Sequence, residues 1–112
     1  MKIAIPVAAG KMCLHFGHCE SFALIDVDEE ARKIVNRDDV ASPPHQPGLL
    51  PGWLRDRGAE KIIAGGMGMR AQEFFTQMGI DVLVGAPPIE PETLVQSWLD
   101  GTLTLGGNVC DH

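Results

Sequence analysis

The sequence of 112 residues has little positive charge and few aromatic side chains. Nine Lys and Arg residues stand against fifteen Asp and Glu residues, which gives a net charge of −6, and tyrosine does not occur. Nucleic-acid binding needs a cationic surface that displaces counterions from phosphates, and no basic run is present. We therefore expect no nucleic-acid partner.

Long apolar runs are also missing. No segment approaches the roughly 20 residues of a membrane-spanning helix. The start of the chain is too short for a signal peptide and lacks its cleavage pattern. Cysteine is scarce and odd in number, at three, so a closed disulfide framework is not expected. We expect a soluble, cytoplasmic protein without a membrane partner, whose cysteines serve metal or redox chemistry.

Catalytic motifs are missing as well. Neither G-x-S-x-G nor H-E-x-x-H occurs, and the first apolar stretch, residues 2–7, contains no acidic residue. Nucleophilic catalysis by Cys13 or Cys19 is conceivable, but no oriented base or oxyanion hole can be identified for it. We expect that the protein is not an enzyme.

What the sequence does contain is a cluster of cysteine and histidine. Four such residues fall within positions 13–19: Cys13, His15, His18 and Cys19. Thiolate and imidazole ligands are typical of Cu(I), zinc or iron–sulfur species. The spacing is not that of a zinc finger, which has paired C-x-x-C units. The alternative is that the cysteines are small buried hydrophobic residues and that the histidines only hydrogen-bond the loop.

The hydrophobic pattern predicts eight elements in the order βββαβαβα. Strands are predicted over 2–7, 21–28, 32–38, 61–64 and 80–84, and helices over 49–57, 69–78 and 90–100. The first three strands should form an antiparallel meander, and the later strands should lie parallel to the first. The predicted fold is a single α/β domain, residues 1–112, with a five-stranded mixed sheet and helices on both faces. Residues 8–19 are predicted as a loop and 102–112 as a candidate flexible tail.

This order of strands brings four loops to the carboxyl end of the first strand, where ligands of open α/β sheets bind. They are residues 13–19, the loop around His45, and the turns 65–68 and 85–88. The tail can span roughly 35 Å when extended, enough for Cys110 and His112 to reach the same end. The alternatives are a solvated loop histidine at His45 and a frayed tail.

The glycine-rich turn at 65–68 leads into a predicted helix. Its backbone N–H groups and the positive end of the helix dipole favour an anion, and Arg70 adds a cation in the first turn. It is not a P-loop, because the Gly-Lys-Ser/Thr ending is missing. The candidate cofactor-binding residues here are Gly65, Gly66, Met67, Gly68 and Arg70. The alternative is a tight turn with no ligand, with the side chains of Met12, Met67 and Met69 used in packing.

Six segments together resemble the dinitrogenase iron–molybdenum cofactor biosynthesis family, which includes NifX, the C-terminal domain of NifB and the orange protein. They occur in order and at suitable spacing from one end of the chain to the other: Lys2–Val7, His15–His18, Pro44–Gly48, Ala64–Ala71, Gly79–Val82 and Cys110–His112. His15 and His18 stand at the family's His-Phe-Gly-His loop, and His45 stands at its His-x-Pro-Gly loop. Cys13 and Cys19 are additional to this pattern.

The resemblance implies a ribonuclease-H-like fold without nuclease activity. It implies a dinitrogenase accessory function, in which a metal–sulfur cluster of the Fe–S, Fe–Mo–S or Mo–Cu–S type, or its precursor, is bound non-covalently. The implied partners are cluster donor and recipient proteins and an assembly ATPase. The candidate metal ligands are Cys13, His15, His18, Cys19, His45, Cys110 and His112.

The main hypothesis is therefore a small carrier or assembly protein for such a cluster. Loop 13–19 would form one wall of a shared pocket, with His45 opposite and the tail as an optional lid. Two alternatives stay open. One is an interaction or regulatory domain that binds an assembly partner, such as an ATPase, without metal; the other is a thiol redox sensor at Cys13 and Cys19.

Overall fold

The computed structural model describes residues 1–16, 19–44 and 48–106. These residues form one α/β domain with six strands and three helices. In chain order the elements are β1 (Lys2–Ala8), β2 (Lys11–Met12), β3 (Ser21–Asp28), β4 (Lys33–Ala41), α1 (Leu49–Asp56), β5 (Lys61–Ile63), α2 (Met69–Gln77), β6 (Asp81–Leu83) and α3 (Pro91–Leu99). None of the helices in these ranges is long and apolar enough to cross a membrane.

The strands form a single mixed sheet in the order β4-β3-β1-β5-β6. β1 is antiparallel to β3 and parallel to β5, β3 is antiparallel to β4, and β5 is parallel to β6. The predicted meander and the predicted parallel pairs are therefore confirmed. We call the carboxyl end of β1 the upper end of the sheet, and β5 and β6 end there as well.

The prediction of five strands is wrong, because β2 lies inside the segment predicted as a loop. β2 pairs with the end of β1 through a two-residue turn, in which Ala9 and Gly10 both have positive φ angles, 54° and 80°. Such turns join short hairpins without splaying the strands. The backbone N–H of Cys13 still donates to the Pro6 carbonyl at 2.8 Å. Proline has no N–H to return that bond, which fits the end of β2 at Met12.

The sheet is buried on both faces, as predicted for its central strand. Successive side chains of a strand point to opposite faces. Accordingly, Ile3, Ile5 and Val7 pack with α3, whereas Ala4 packs with residues of α1 and α2. Phe22, Leu54 and Phe75 complete the second face and are fully buried. Helices therefore cover both faces, with α3 on one and α1 and α2 on the other.

The far edge of the sheet is formed by β4, which extends to Ala41, three residues beyond its predicted end. Its side chains are mostly exposed, as expected for an edge strand. Arg37 ties this edge to the start of α3, with contacts of 2.7 Å to Asp39, 2.8 Å to Glu90 and 3.1 Å to Glu92. The Glu90 side chain in turn caps α3 by accepting from the backbone N–H of Thr93.

Candidate functional site

Two of the four predicted loops contact each other directly at the upper end of the sheet. The N–H of Gly66 donates to the Leu14 carbonyl at 2.8 Å, and the N–H of Phe16 donates to the Gly66 carbonyl at 3.3 Å. His15 and Gly66 thereby form a parallel bridge. The cysteine–histidine loop therefore lies along the glycine-rich turn as an additional short strand segment.

The close approach requires a glycine at position 65. A Cβ atom built there would lie 3.0 Å from the Leu14 Cα and 3.2 Å from its carbonyl oxygen. An alanine at this position would therefore force the Leu14 segment to shift by a few tenths of an ångström. Gly65 is therefore explained by the proximity of another backbone.

The third loop continues this arrangement, and the tail joins it. The N–H of Gly85 donates to the Gly65 carbonyl at 2.7 Å, and the N–H of Gly106 donates to the Gly85 carbonyl at 2.6 Å. Gly85 has a φ of +87°, and a Cβ there would collide with the backbone of Gly106. The segments around 15, 66, 85 and 106 therefore lie side by side. Residues 102–106, the described part of the tail, thus reach the upper end at Gly106.

Both described cysteines are half-buried free thiols. Cys13 donates from Sγ to the His15 carbonyl at 3.2 Å, while the Cys19 Sγ lies 3.3 Å from the Ser42 Oγ. Burial raises the pKa of the Cys19 thiol above its usual value; the hydrogen bond with Ser42 opposes this shift, and the charge of Cys13 adds to it.

Phe16 anchors the loop to the core. Its ring contacts Phe22 and Phe75 edge to face, with ring centroids 6.2 Å and 5.5 Å apart. The preceding residue, His15, is exposed. The loop therefore has an aromatic anchor on one side and an accessible imidazole next to it.

The start of α2 forms the neighbouring part of the site. Gly68 is the N-cap residue, and no side chain caps this end of the helix. Arg70 is exposed in the first turn. Met67 lies within the turn, and its side chain is only 1% exposed and belongs to the core. At the surface of the turn, Met67 can therefore contribute only main-chain atoms. Met12 is buried in the core, at 2% exposure, whereas Met69 is 64% exposed at the start of α2.

Four predicted ligands, His18, His45, Cys110 and His112, lie outside the described residues. Within residues 1–16, 19–44 and 48–106, no three His, Cys, Asp or Glu side chains converge to hold a metal ion. The described chain thus supplies two thiols and one imidazole at an open surface without a preformed cage. An open arrangement of soft ligands beside N–H donors is suited to a ligand that is itself large and carries negative charge.

Ser42 is a site residue that the sequence analysis did not identify. It follows β4 directly, and its N–H donates to the carbonyl of Glu20, the residue after Cys19. Only the register of β3 and β4, which pairs Ser21 with Ala41, brings it beside the thiol. A sequence prediction that extended β4 to Ala41 would have placed Ser42 next to Cys19 and so identified it.

Comparison with known proteins agrees with this geometry. The model of the family described as "Dinitrogenase iron-molybdenum cofactor" matches residues 1–101. The uncharacterized protein MJ0580 of Methanocaldococcus jannaschii is 32% identical over 85 residues, which is 73% of this chain and 72% of that protein.

Two solved structures are similar over nearly the whole chain. The crystal structure of PH0822 has a TM-score of 0.85 at 28% identity and covers 94% of both chains. The apo form of the orange protein from Desulfovibrio gigas has a TM-score of 0.72 at 22% identity, over 96% of this chain and 93% of the other. The latter similarity supports the fold alone.

Proposed function

The chain belongs to the dinitrogenase iron–molybdenum cofactor family, and from this premise we propose that it is a small carrier or assembly protein for a metal–sulfur cluster. The cargo is a cluster, or its precursor, that contains iron or molybdenum and is bound non-covalently. The observation that carries the proposal is the main-chain contact between loop 13–16 and the turn at Gly65 and Gly66. This contact supports the proposal because it brings the loop with the candidate soft ligands close to the turn that precedes α2.

The two parts of the proposed site, which are the cysteine–histidine loop and the glycine-rich turn before α2, supply complementary chemistry for such a cargo. Cys13, His15 and Cys19 offer sulfur and imidazole nitrogen to the metal atoms. The first turn of α2 offers its N–H groups, the positive end of the dipole and the Arg70 guanidinium to sulfide or oxo atoms, whereas the Gly66 N–H already donates to Leu14. A bare cation would be repelled at this helix end, so an anionic cluster fits better. His18, His45, Cys110 and His112 are proposed to complete the ligand set.

Three further elements belong to the proposal. The protein acts without catalysis, on cluster donor and recipient proteins, with an assembly ATPase as a further partner. It acts in the cytoplasm. The fold is of the ribonuclease-H-like type, which is supported by the antiparallel meander of β1, β3 and β4 followed by parallel β5 and β6.

The test is anaerobic reconstitution with iron, sulfide and molybdate, followed by visible absorption and metal analysis. We expect bound metal with sulfur-to-metal charge-transfer absorption, and its loss in a variant with Cys13→Ser, His15→Ala and Cys19→Ser. Glu29→Gln, at the lower end of the sheet, is the matched control and should bind like the wild type. Far less than one metal per chain for all these metals would rule the proposal out.

An interaction domain is the second candidate, and one observation favours it. The α2 surface exposes Met69 and Phe74, at 64% and 36%. If partner binding is the primary function, changing Cys13, His15 and Cys19 to alanine leaves capture of the assembly ATPase intact, and Met69→Ala weakens it. If the cluster is needed, the alanine variant also loses the partner.

The thiol redox sensor is the third candidate, because Cys13 and Cys19 are both half-buried free thiols. It predicts an oxidant-dependent loss of two mass units, as a disulfide forms and two hydrogen atoms are removed by peroxide. No mass change after peroxide treatment of the metal-free protein would remove this candidate.

A further inference from the structure

The hydroxyl of Ser42 lies at a defined position beside one of the two thiols. Its Oγ is 3.3 Å from the Cys19 Sγ. The main chain fixes both partners, because the Ser42 N–H donates to the Glu20 carbonyl at 3.1 Å and the Glu20 N–H donates to the Val7 carbonyl at 2.8 Å. The contact is therefore held by an extension of the sheet.

The chemistry of the pair determines what happens when Cys19 binds a metal. A hydroxyl can donate or accept a hydrogen bond, whereas a metal-bound thiolate carries no proton and can only accept. Ser42 would therefore donate to the sulfur, and the contact would persist in the loaded protein. Hydrogen bonds to a ligand atom fix its orientation and tune the metal.

The other thiol is placed differently. The Cys13 Sγ lies 3.2 Å from the His15 carbonyl. A carbonyl oxygen can only accept, so that this contact offers nothing to a sulfur without a proton. The two cysteines thus differ in the support they receive once both are thiolate ligands.

From this difference we propose that Ser42 is a positioning residue that holds the Cys19 sulfur as the more persistent ligand of the bound cluster. The proposal rests on the proposed function and deepens it, because it distinguishes the two thiols as ligands of the cargo by their hydrogen-bond partners. Ser42 itself does not contact the metal. It acts through the Cys19 sulfur.

The experiment uses the full chain and Co²⁺ as the probe, under anaerobic conditions, with release to a chelator followed by the thiolate-to-Co²⁺ absorption. Ser42→Val and Ser42→Thr form a matched pair, which differs only in the hydroxyl. We expect Ser42→Val to release Co²⁺ about tenfold faster with its absorption band shifted, and Ser42→Thr to stay close to the wild type. Ser97→Ala, on α3, is the control for loss of a distant hydroxyl.

A double-mutant comparison locates the effect on the sulfur. In a Cys19→Ser background the two Ser42 variants should release Co²⁺ at the same rate, whereas in a Cys13→Ser background their difference should remain. Equal release from the two folded Ser42 variants in the wild-type background would overturn the proposal and leave the carrier function standing. Absence of both Co²⁺ binding and cluster reconstitution in the wild type would instead overturn the carrier function itself.

Discussion

The two halves of the sheet are built differently. β1, β3 and β4 contain seven, eight and nine residues and pair along most of their lengths. β5 and β6 contain three residues each. Beyond the carboxyl ends of β5 and β6, the glycine-rich segments are joined to their neighbours by single backbone hydrogen bonds only. The half formed by β1, β3 and β4 contains most of the strand pairing. In the other half, β5 and β6 end after three residues, and the segments that follow them form the surface on which the cysteine loop lies.

The difference follows from the side chains. The long strands carry Ile, Val, Phe and Leu, which pack on the pleated surface and stabilise it by burial. Gly65, Gly66 and Gly85 have nothing to pack, but they let neighbouring backbones approach. The upper end of the sheet therefore has precise main-chain contacts but contributes little hydrophobic burial. This separation leads to four predictions.

The largest effect is expected in the half formed by β1, β3 and β4. Ile25 is fully buried in β3, and Ile25→Ala should lower the free energy of unfolding by about 2–5 kcal/mol, from lost burial and the cavity left behind. Urea denaturation measures it. Val35→Ala, on the exposed edge strand at 64% exposure, should change stability by less than about 0.5 kcal/mol. Similar losses in both variants would contradict the assignment of the core.

Gly85→Ala should have the next largest effect. Alanine at a φ of +87° is strained, and its Cβ collides with Gly106, so we expect a loss of about 2–3 kcal/mol. Gly79→Ala is the matched control, because its φ is +77° but its Cβ meets no atom within 4 Å. It should lose only about 1 kcal/mol. Hydrogen exchange of the Gly106 amide should speed up in Gly85→Ala alone, and equal behaviour of the two variants would show that the tail contact contributes nothing.

Gly65→Ala tests the contact between the two parts of the proposed site. Its Cβ would press on the Leu14 backbone, which must shift by a few tenths of an ångström, at about 1–2 kcal/mol. Gly68→Ala has open space and an ordinary φ of −64° and is the control. We expect Gly65→Ala to weaken metal binding more than Gly68→Ala does. The reverse order would place the cargo away from the Leu14–Gly66 contact.

The smallest effect concerns the cap of α3. Burial alone would raise the pKa of Glu90, but the backbone N–H groups of Thr93 and Glu92 and the Arg37 guanidinium outweigh it and lower the pKa. A lowered folded pKa means that this stabilisation is present above the ordinary pKa of glutamate and is lost as the pH falls through the folded value. Glu90→Gln should therefore cost about 0.5–1 kcal/mol at pH 7.

Urea denaturation at pH 7 and near pH 3 checks the sign. The difference between Glu90→Gln and the wild type should shrink as the pH falls through the folded pKa of Glu90, because the wild-type carboxyl then takes up a proton. Glu29→Gln, in the exposed turn after β3, is the control variant measured under the same two conditions. A difference for Glu90→Gln that is independent of pH would show that the charge does not matter.

Most of the architecture could be predicted because the spacing of apolar residues along the chain reflects which side chains are buried in each helix and strand. The three helices, the meander and the parallel pairs follow from apolar spacing, and their bounds differ from the observed ones by a few residues. β2 could not be predicted, since two residues have no periodicity. Its position depends on Pro6 and on a turn with two positive φ angles.

The site was predictable as a meeting of loops, because strand direction alone brings loop 13–19 and the Gly65 turn to one end. Which atoms meet was not predictable. The Ser42–Cys19 contact depends on strand register, and the Leu14–Gly66 contact depends on a backbone approach without side chains. Neither leaves a pattern in composition or spacing.

The bridge between His15 and Gly66 also has a consequence for the order of events during synthesis. The partners lie at positions 15 and 66, whereas β3 and β4 are neighbours along the chain. Local pairings are expected to form earlier than distant ones. As the chain emerges, Cys13 and Cys19 are therefore exposed well before the glycine turn has been made. If the proposed cargo contacts both segments, it can be loaded only after folding has brought the Gly65–Gly66 turn beside loop 13–16.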